Sequence, residues 1–189
     1  MVRWLERAVI GLNLCPFAKG VHAKGQIHYV VSAAADAVAL EQDLRRELAA
    51  LAAAPAEERD TTLLMAPDCL ADFLEFNDFL DVADSTLEDL GLDGTLQIAS
   101  FHPQFQFAGT DVADVTNCTN RAPYPTLHLL REDSIGRAVQ AYPEAESIYE
   151  RNMEVLEQLG AAGWQALAVD SGCAARAHAT LSDVSKGGA

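Results

Sequence analysis

Basic residues are scarce in this chain. Only 13 Lys and Arg stand against 28 Asp and Glu in 189 residues, a formal net charge of −15. A face that binds duplex nucleic acid needs clustered cations, so no nucleic-acid partner is expected. Long apolar runs are missing too: none approaches the ~20 residues that span a bilayer, and no membrane partner is expected. The four cysteines form no C-x-x-C pair, and no H-x-H or H-x-x-x-H spacing offers a preformed metal face, so the expected metal ligands are none. Gly109 lies outside any G-x-G-x-x-G or P-loop context and no G-x-S-x-G elbow occurs, which leaves the cofactor unknown.

What is present fits one soluble domain. Half of the residues are hydrophobic, and the length suffices to bury one sizeable core. No secretory apolar segment is visible, so reduced thiols and a cytoplasmic location are expected. Charge is unevenly placed. Residues 36–93 hold 16 acids against Arg45, Arg46 and Arg59, whereas residues 1–35 carry Arg3, Arg7, Lys19 and Lys24 against Glu6 alone. An anionic ligand would therefore favour the N-terminal segment or the neutral stretch 94–131.

Periodicity supplies the fold class. Trp4, Leu5, Ala8, Val9 and Leu12 predict a helix over 2–12, ending near Gly11 or Asn13. Strands are predicted at 27–32, 61–66, 95–101 and 126–130, the second buried on both faces. A helix capped by Asp36 carries the stripe Leu40, Leu44, Leu48 and Leu51. Another, capped by Asp68, carries Leu70, Phe73, Leu74, Leu80, Leu87 and Leu90, with Asn77 on the buried side. Helices at 134–142 and 145–159 follow, with Asn152 facing inward beside Leu156. The expected architecture is α/β: a single domain over 1–160 with an about four-stranded, mostly parallel sheet covered by helices, and a loosely ordered tail at 161–189.

Residues 100–131 concentrate the polar chemistry. They hold His102, His128, Asn117, Asn120, Arg121 and Arg131 among prolines and aromatics, with a long loop between strands 3 and 4. A loop of that length in a compact domain usually has a function, and its polar groups need partners, water or a ligand. His102 is the candidate proton carrier, since imidazole titrates near neutrality, and Arg121 on a stiff Pro-flanked backbone suits an anion. Asn117, Asn120, Asn13, His128 and Arg131 are candidate substrate contacts. Each has a plainer role in competition: His128 lies in the apolar run T-L-H-L-L, Arg121 can brace carbonyls, and the asparagines can cap turns.

Cys15 is the candidate nucleophile. Its string C-P-F-A resembles the active-site string of glutaredoxin-like and omega-class glutathione transferase proteins, where the cysteine starts a helix. Here a helix precedes Cys15, and a small buried thiol at a corner is the alternative.

Several strings in register, G-L-N-L-C-P-F-A-K at 11–19, N-D-F-L at 77–80, Q-I-A-S-F-H-P at 97–103, T-N-R at 119–121 and P-Y-P-T-L-H-L-L-R-E at 123–132, resemble the bacterial family known as domain of unknown function 1415. The resemblance runs over roughly residues 2–160 and implies a single-domain bacterial protein without assigned activity. It supplies no catalytic residues. Cys118 and Ala122 depart from the family's usual aromatic and serine there, so neither is expected to be chemically indispensable. Three functions compete: a small transferase- or hydrolase-type enzyme acting on an anionic metabolite or peptide, a non-catalytic small-molecule or protein binding module, and a thiol-redox protein using Cys15.

Overall fold

The computed structural model describes residues 1–142 and 145–169. Helix α1 (Val2–Trp4) opens without a break into a π-helical segment, Leu5–Ile10. There follow α2 (Ala18–Ala23), β1 (Ile27–Val31), α3 (Ala37–Ala53), β2 (Thr61–Met65), α4 (Phe73–Asp89), β3 (Leu96–Phe101), a 3₁₀ turn (Val115–Asn120), β4 (Thr126–Arg131), α5 (Glu132–Ala141), a short 3₁₀ turn and α6 (Ile148–Ala166). No helix among the described residues is long and apolar enough to cross a membrane.

The four strands form one sheet in the order β1-β2-β4-β3. β1 and β2 run parallel, joined by the α3 crossover. β4 is antiparallel to both β2 and β3. The sheet is therefore mixed, not mostly parallel as the strand–helix alternation predicts. The reason is the last connection: residues 102–125 contain no crossover helix, so the chain turns back beside β3 and inserts between β3 and β2.

Each face of the sheet has its own core. On one, α3 and α4 pack Leu40, Leu44, Leu48, Leu51, Phe76, Phe79 and Ala83 onto Leu64, Leu127 and Leu129. On the other, α1, its π-segment and α6 gather Trp4, Leu5, Val9, Leu156 and Trp164 with Cys118 and Ala122. β2 is buried along its whole length, as an inner strand between two cores must be.

Helix α4 departs from expectation. Its cap is Asp72, whose carboxylate accepts from the N–H groups of Leu74 and Glu75. Asp68 is exposed and caps nothing in the described residues. The buried stripe is accordingly Phe76, Phe79, Ala83 and Leu87, which leaves Leu74 70% exposed and Asn77 on the solvent side. In α6, Asn152 and Leu156 do face inward. Gly160 interrupts that helix at φ 65, but the chain resumes helically and buries Trp164 and Val169, so packing continues past residue 160. The rest of the predicted tail, residues 170–189, lies outside the described residues.

Removing a helix N-cap typically costs about 1 kcal/mol. Asp72→Ala is therefore expected to lower the unfolding free energy by about that amount, and Asp68→Ala by less than roughly 0.5 kcal/mol. Urea denaturation of both variants checks the start of α4.

Candidate functional site

The polar side chains of the loop after β3 are engaged largely by backbone. His102 is 0% exposed and held by two backbone groups. The Gln104 N–H donates to its Nδ1 at 3.0 Å, so the ring proton sits on Nε2 and is donated to the Leu70 carbonyl at 3.1 Å. The Phe73 and Phe76 rings flank it at 5.4 and 5.1 Å. Burial holds this imidazole below the ordinary histidine range, hence neutral. Arg121, also buried, donates to the carbonyls of Phe105 and Val112. Asn117 accepts from the Phe107 N–H and the Thr110 hydroxyl and donates to the Asp111 carbonyl. Asn120 reaches the Ser100 carbonyl with its amide, and its own carbonyl receives the His102 N–H. The structure thus gathers His102, Asn117, Asn120 and Arg121 in one loop but turns their polar groups onto backbone. Asn13 sits apart, at φ 55 in the turn after the π-segment, where its carbonyl accepts from Arg151.

The other three sequence candidates meet elsewhere. Cys15, His128 and Arg131 line one cavity of about 470 Å³ between the second face of the sheet and the helices over it. Its floor is Ile27, Leu63, Phe101, His128 and Leu130 from the strands. Its walls are Trp4, Leu5 and Val9 from the first helix, and its roof is α2 and α5. Most of the roof is made of small side chains, Ala18, Gly20 and Val21 on α2 and Ser134 and Ala138 on α5, with Ile135 the larger one on α5. A Cβ added at Gly20 would meet nothing within 4 Å. Exposed Gly20 and Lys24 stand on the rim.

The π-segment shapes the wall. Its wider turn is closed by Gly11 N–H to Glu6 carbonyl and Leu14 N–H to Val9 carbonyl. Gly11 is required there, since a Cβ would stand 2.3 Å from the Arg7 carbonyl oxygen. The chain then turns through Asn13–Cys15 directly into α2, so C-P-F-A does precede a helix, a short one that sequence periodicity does not reveal. The N–H groups of Phe17 and Ala18 favour the thiolate of Cys15, yet burial outweighs them and its pKa lies above the ordinary thiol value. Asn152 and Arg151 of α6 hold this turn through the carbonyls of Leu14 and Asn13.

Two cavity residues also have structural duties. Arg131 donates to the carbonyls of Leu51, Ala54 and Arg59, closing the C-terminus of α3. Thr61 donates its hydroxyl proton to the Leu129 carbonyl at 2.6 Å and lies 2.7 Å from Nε2 of His128. Burial lowers His128 to about 4, so the imidazole is neutral at pH 7. With Cys15 protonated as well, neither of these two titratable side chains carries charge, and the guanidinium of Arg131 is the cation of the lining engaged by the carbonyls at the end of α3.

Cys118 is disulfide-bonded, which corrects the expectation of four reduced thiols and removes the redox argument for a cytoplasmic location. Cys15 and Cys69 are free. Among the described residues, no group of three His, Cys, Asp or Glu side chains is placed to hold a metal ion. The cavity residues that sequence reasoning passes over are Trp4, Phe17, Thr61, Phe101 and Ile135. Their one legible signal is the alternation along β4, which sets His128 and Leu130 opposite Leu127 and Leu129.

A family model described as "Protein of unknown function (DUF1415)" matches residues 1–166. No curated protein and no solved structure matches the chain.

Two outcomes follow from the ionisation states. An unfolded histidine titrates near ~6.5, so as pH falls from there towards 4 the unfolded chain binds a proton that folded His128 refuses. Stability is present above ~6.5 and is lost across that window, by about 3 kcal/mol from this residue, with His102 adding in the same direction. Urea titrations over the range should show a distinctly smaller acid loss in His128→Gln than in the parent. Alkylation of Cys15 by iodoacetamide at neutral pH should run roughly tenfold slower than that of a small free thiol and accelerate as pH rises. Peptide mass mapping against time measures it.

Proposed function

The chain belongs to the DUF1415 family, which brings no activity with it, and on that premise we propose that the protein binds a small, mainly apolar molecule in the cavity beneath α2 and α5. The observation that carries this reading is the cavity itself. Its volume of about 470 Å³ lies within the range of small-molecule sites, roughly 300–1,000 Å³, and its lining is apolar with a few polar points. Sealed and empty, such a void would cost on the order of 10 kcal/mol at roughly 24 cal/mol per Å³. That rivals the whole stability of a domain, ~5–15 kcal/mol, so the space has to be filled through its mouth by water or by a ligand. Apolar walls make water the poorer filling.

Binding is preferred here to the transferase or hydrolase reaction on an anionic substrate. That reaction needs His102 to move a proton and Arg121 to hold the anion, and backbone carbonyls and amides already engage both. Of the two cations in the lining, Arg131 is engaged by carbonyls and Lys24 stands on the exposed rim, so the interior offers an anion no unengaged cation and suits an apolar body. A second use of the same space is favoured by the position of Cys15 on its wall: an electrophilic ligand held there lies against the sulfur. The thiol-redox reading has less support, because the other free cysteine among the described residues, Cys69, belongs to the core on the opposite face.

The test uses n-butylbenzene as a probe, read by thermal shift and by Trp4 fluorescence. A ligand that binds only the native state raises the melting temperature by mass action. The parent is expected to show a concentration-dependent rise and a change in emission. Ala138→Trp, which puts an indole into the cavity from α5, is expected to fold and to show neither. No response from the parent, or an equal response from both, overturns the proposal.

A further inference from the structure

The hydroxyl of Thr61 has a single proton, and the pair of contacts it makes determines where that proton lies. The Leu129 carbonyl can only accept, so at 2.6 Å the Thr61 proton must point towards it. The 2.7 Å contact between Thr61 Oγ1 and His128 Nε2 then has to be filled by a proton on Nε2. His128 is thereby fixed as the Nε2–H tautomer, with a bare lone pair on Nδ1. No hydrogen bond reaches Nδ1 among the described residues, yet it is not among the buried polar atoms shut away without a partner. β4 is an inner strand, flanked by β2 and β3 and covered on its other face by Leu127 and Leu129, so the space open to Nδ1 is the cavity that His128 lines.

We propose that the ligand of this cavity is an uncharged apolar molecule bearing a hydroxyl group, which donates a hydrogen bond to Nδ1 of His128. The inference rests on the cavity being a binding site and adds the chemistry it selects. An acceptor in apolar surroundings rewards an O–H donor, and a ligand that displaces water without offering one leaves the lone pair unsatisfied. A carboxylate meets lone pair with lone pair and is rejected from the interior. The polar groups nearest the ring do not change this preference. Thr61 is already committed to Leu129, Cys15 is a weak neutral thiol, and Arg131 is engaged by the end of α3. Ser134 donates its hydroxyl to Asp60, which with Lys24 completes the charged and polar lining.

Three matched probes test the proposal on the intact chain: para-butylphenol, para-butylanisole and n-butylbenzene, each titrated by thermal shift and Trp fluorescence. The phenol is expected to bind roughly tenfold more tightly than the anisole. In His128→Leu the anisole and butylbenzene should still bind and the preference should fall to about onefold, within error. Nitrogen NMR of the parent, which needs no variant, should show a protonated Nε2 and an unprotonated Nδ1 whose resonance moves when the phenol is added. Equal affinity for phenol and anisole, or a ring protonated at Nδ1, overturns the hydroxyl preference while leaving the cavity as a binding site. Failure of all three probes to bind overturns both.

Discussion

Strand β4 is held on both edges, by β2 at one side and β3 at the other, and its side chains alternate strictly between two cores. Leu127 and Leu129 close the core under α3 and α4, so His128 has no choice but to face the other side. A slip of one residue would bury the imidazole among leucines and expose two leucines to the cavity. Two ladders and a set of fully buried leucines oppose that slip. The Thr61 contact and the neutral ring on the second face both follow from this placement.

The two faces are finished differently. Long helices with leucine and phenylalanine stripes fill one side to the backbone. The other is covered partly by α2, six residues long, and by α5, which buries none of its residues completely. Small side chains predominate on both where they line the space over Leu63, His128 and Leu130. The cavity is thus a packing deficit written into composition, with alanine and glycine where the opposite face has leucine. The polar loop behaves in the reverse way. It spends Asn117 and Arg121 on carbonyls and amides of its own and ties His102 to Gln104 and to the Leu70 carbonyl, which gives residues 102–125 a defined path without an α-helix or a strand.

Much of the fold is legible in the sequence, and the losses have local causes. All four strands stand out as β-branched or apolar runs with clear stops. Two aspartates four positions apart, Asp68 and Asp72, offer equivalent caps, and choosing the earlier one rotates the apparent stripe of α4 away from Phe76 and Phe79. Helix α2, A-K-G-V-H-A, is too short and too weakly periodic to register. The direction of β4 depends on the path of the preceding loop, which is a tertiary fact. For the site, chemistry singles out Cys15, His128 and Arg131 one at a time, but nothing local says that residues more than a hundred positions apart share a wall. The density of polar groups around His102 and Arg121 correctly signals a need for partners. It does not say that the partners are backbone groups, some in the loop and others on Leu70 and Ser100.

The roof and the floor of the cavity differ in how firmly they are tied down. The floor consists of strands locked into ladders, whereas α5 is fastened at its start by Ser134 to Asp60 and, just past its end, by an edge-to-face contact of Tyr142 with Phe17 at 6.0 Å. Neither fastening carries much energy alone. In the proposed binding role, guests of different bulk would be accommodated by displacement of α5, while the imidazole below keeps its aim. Under that proposal steric tolerance and chemical discrimination would reside in separate layers of the molecule, so that either could change by substitution without disturbing the other.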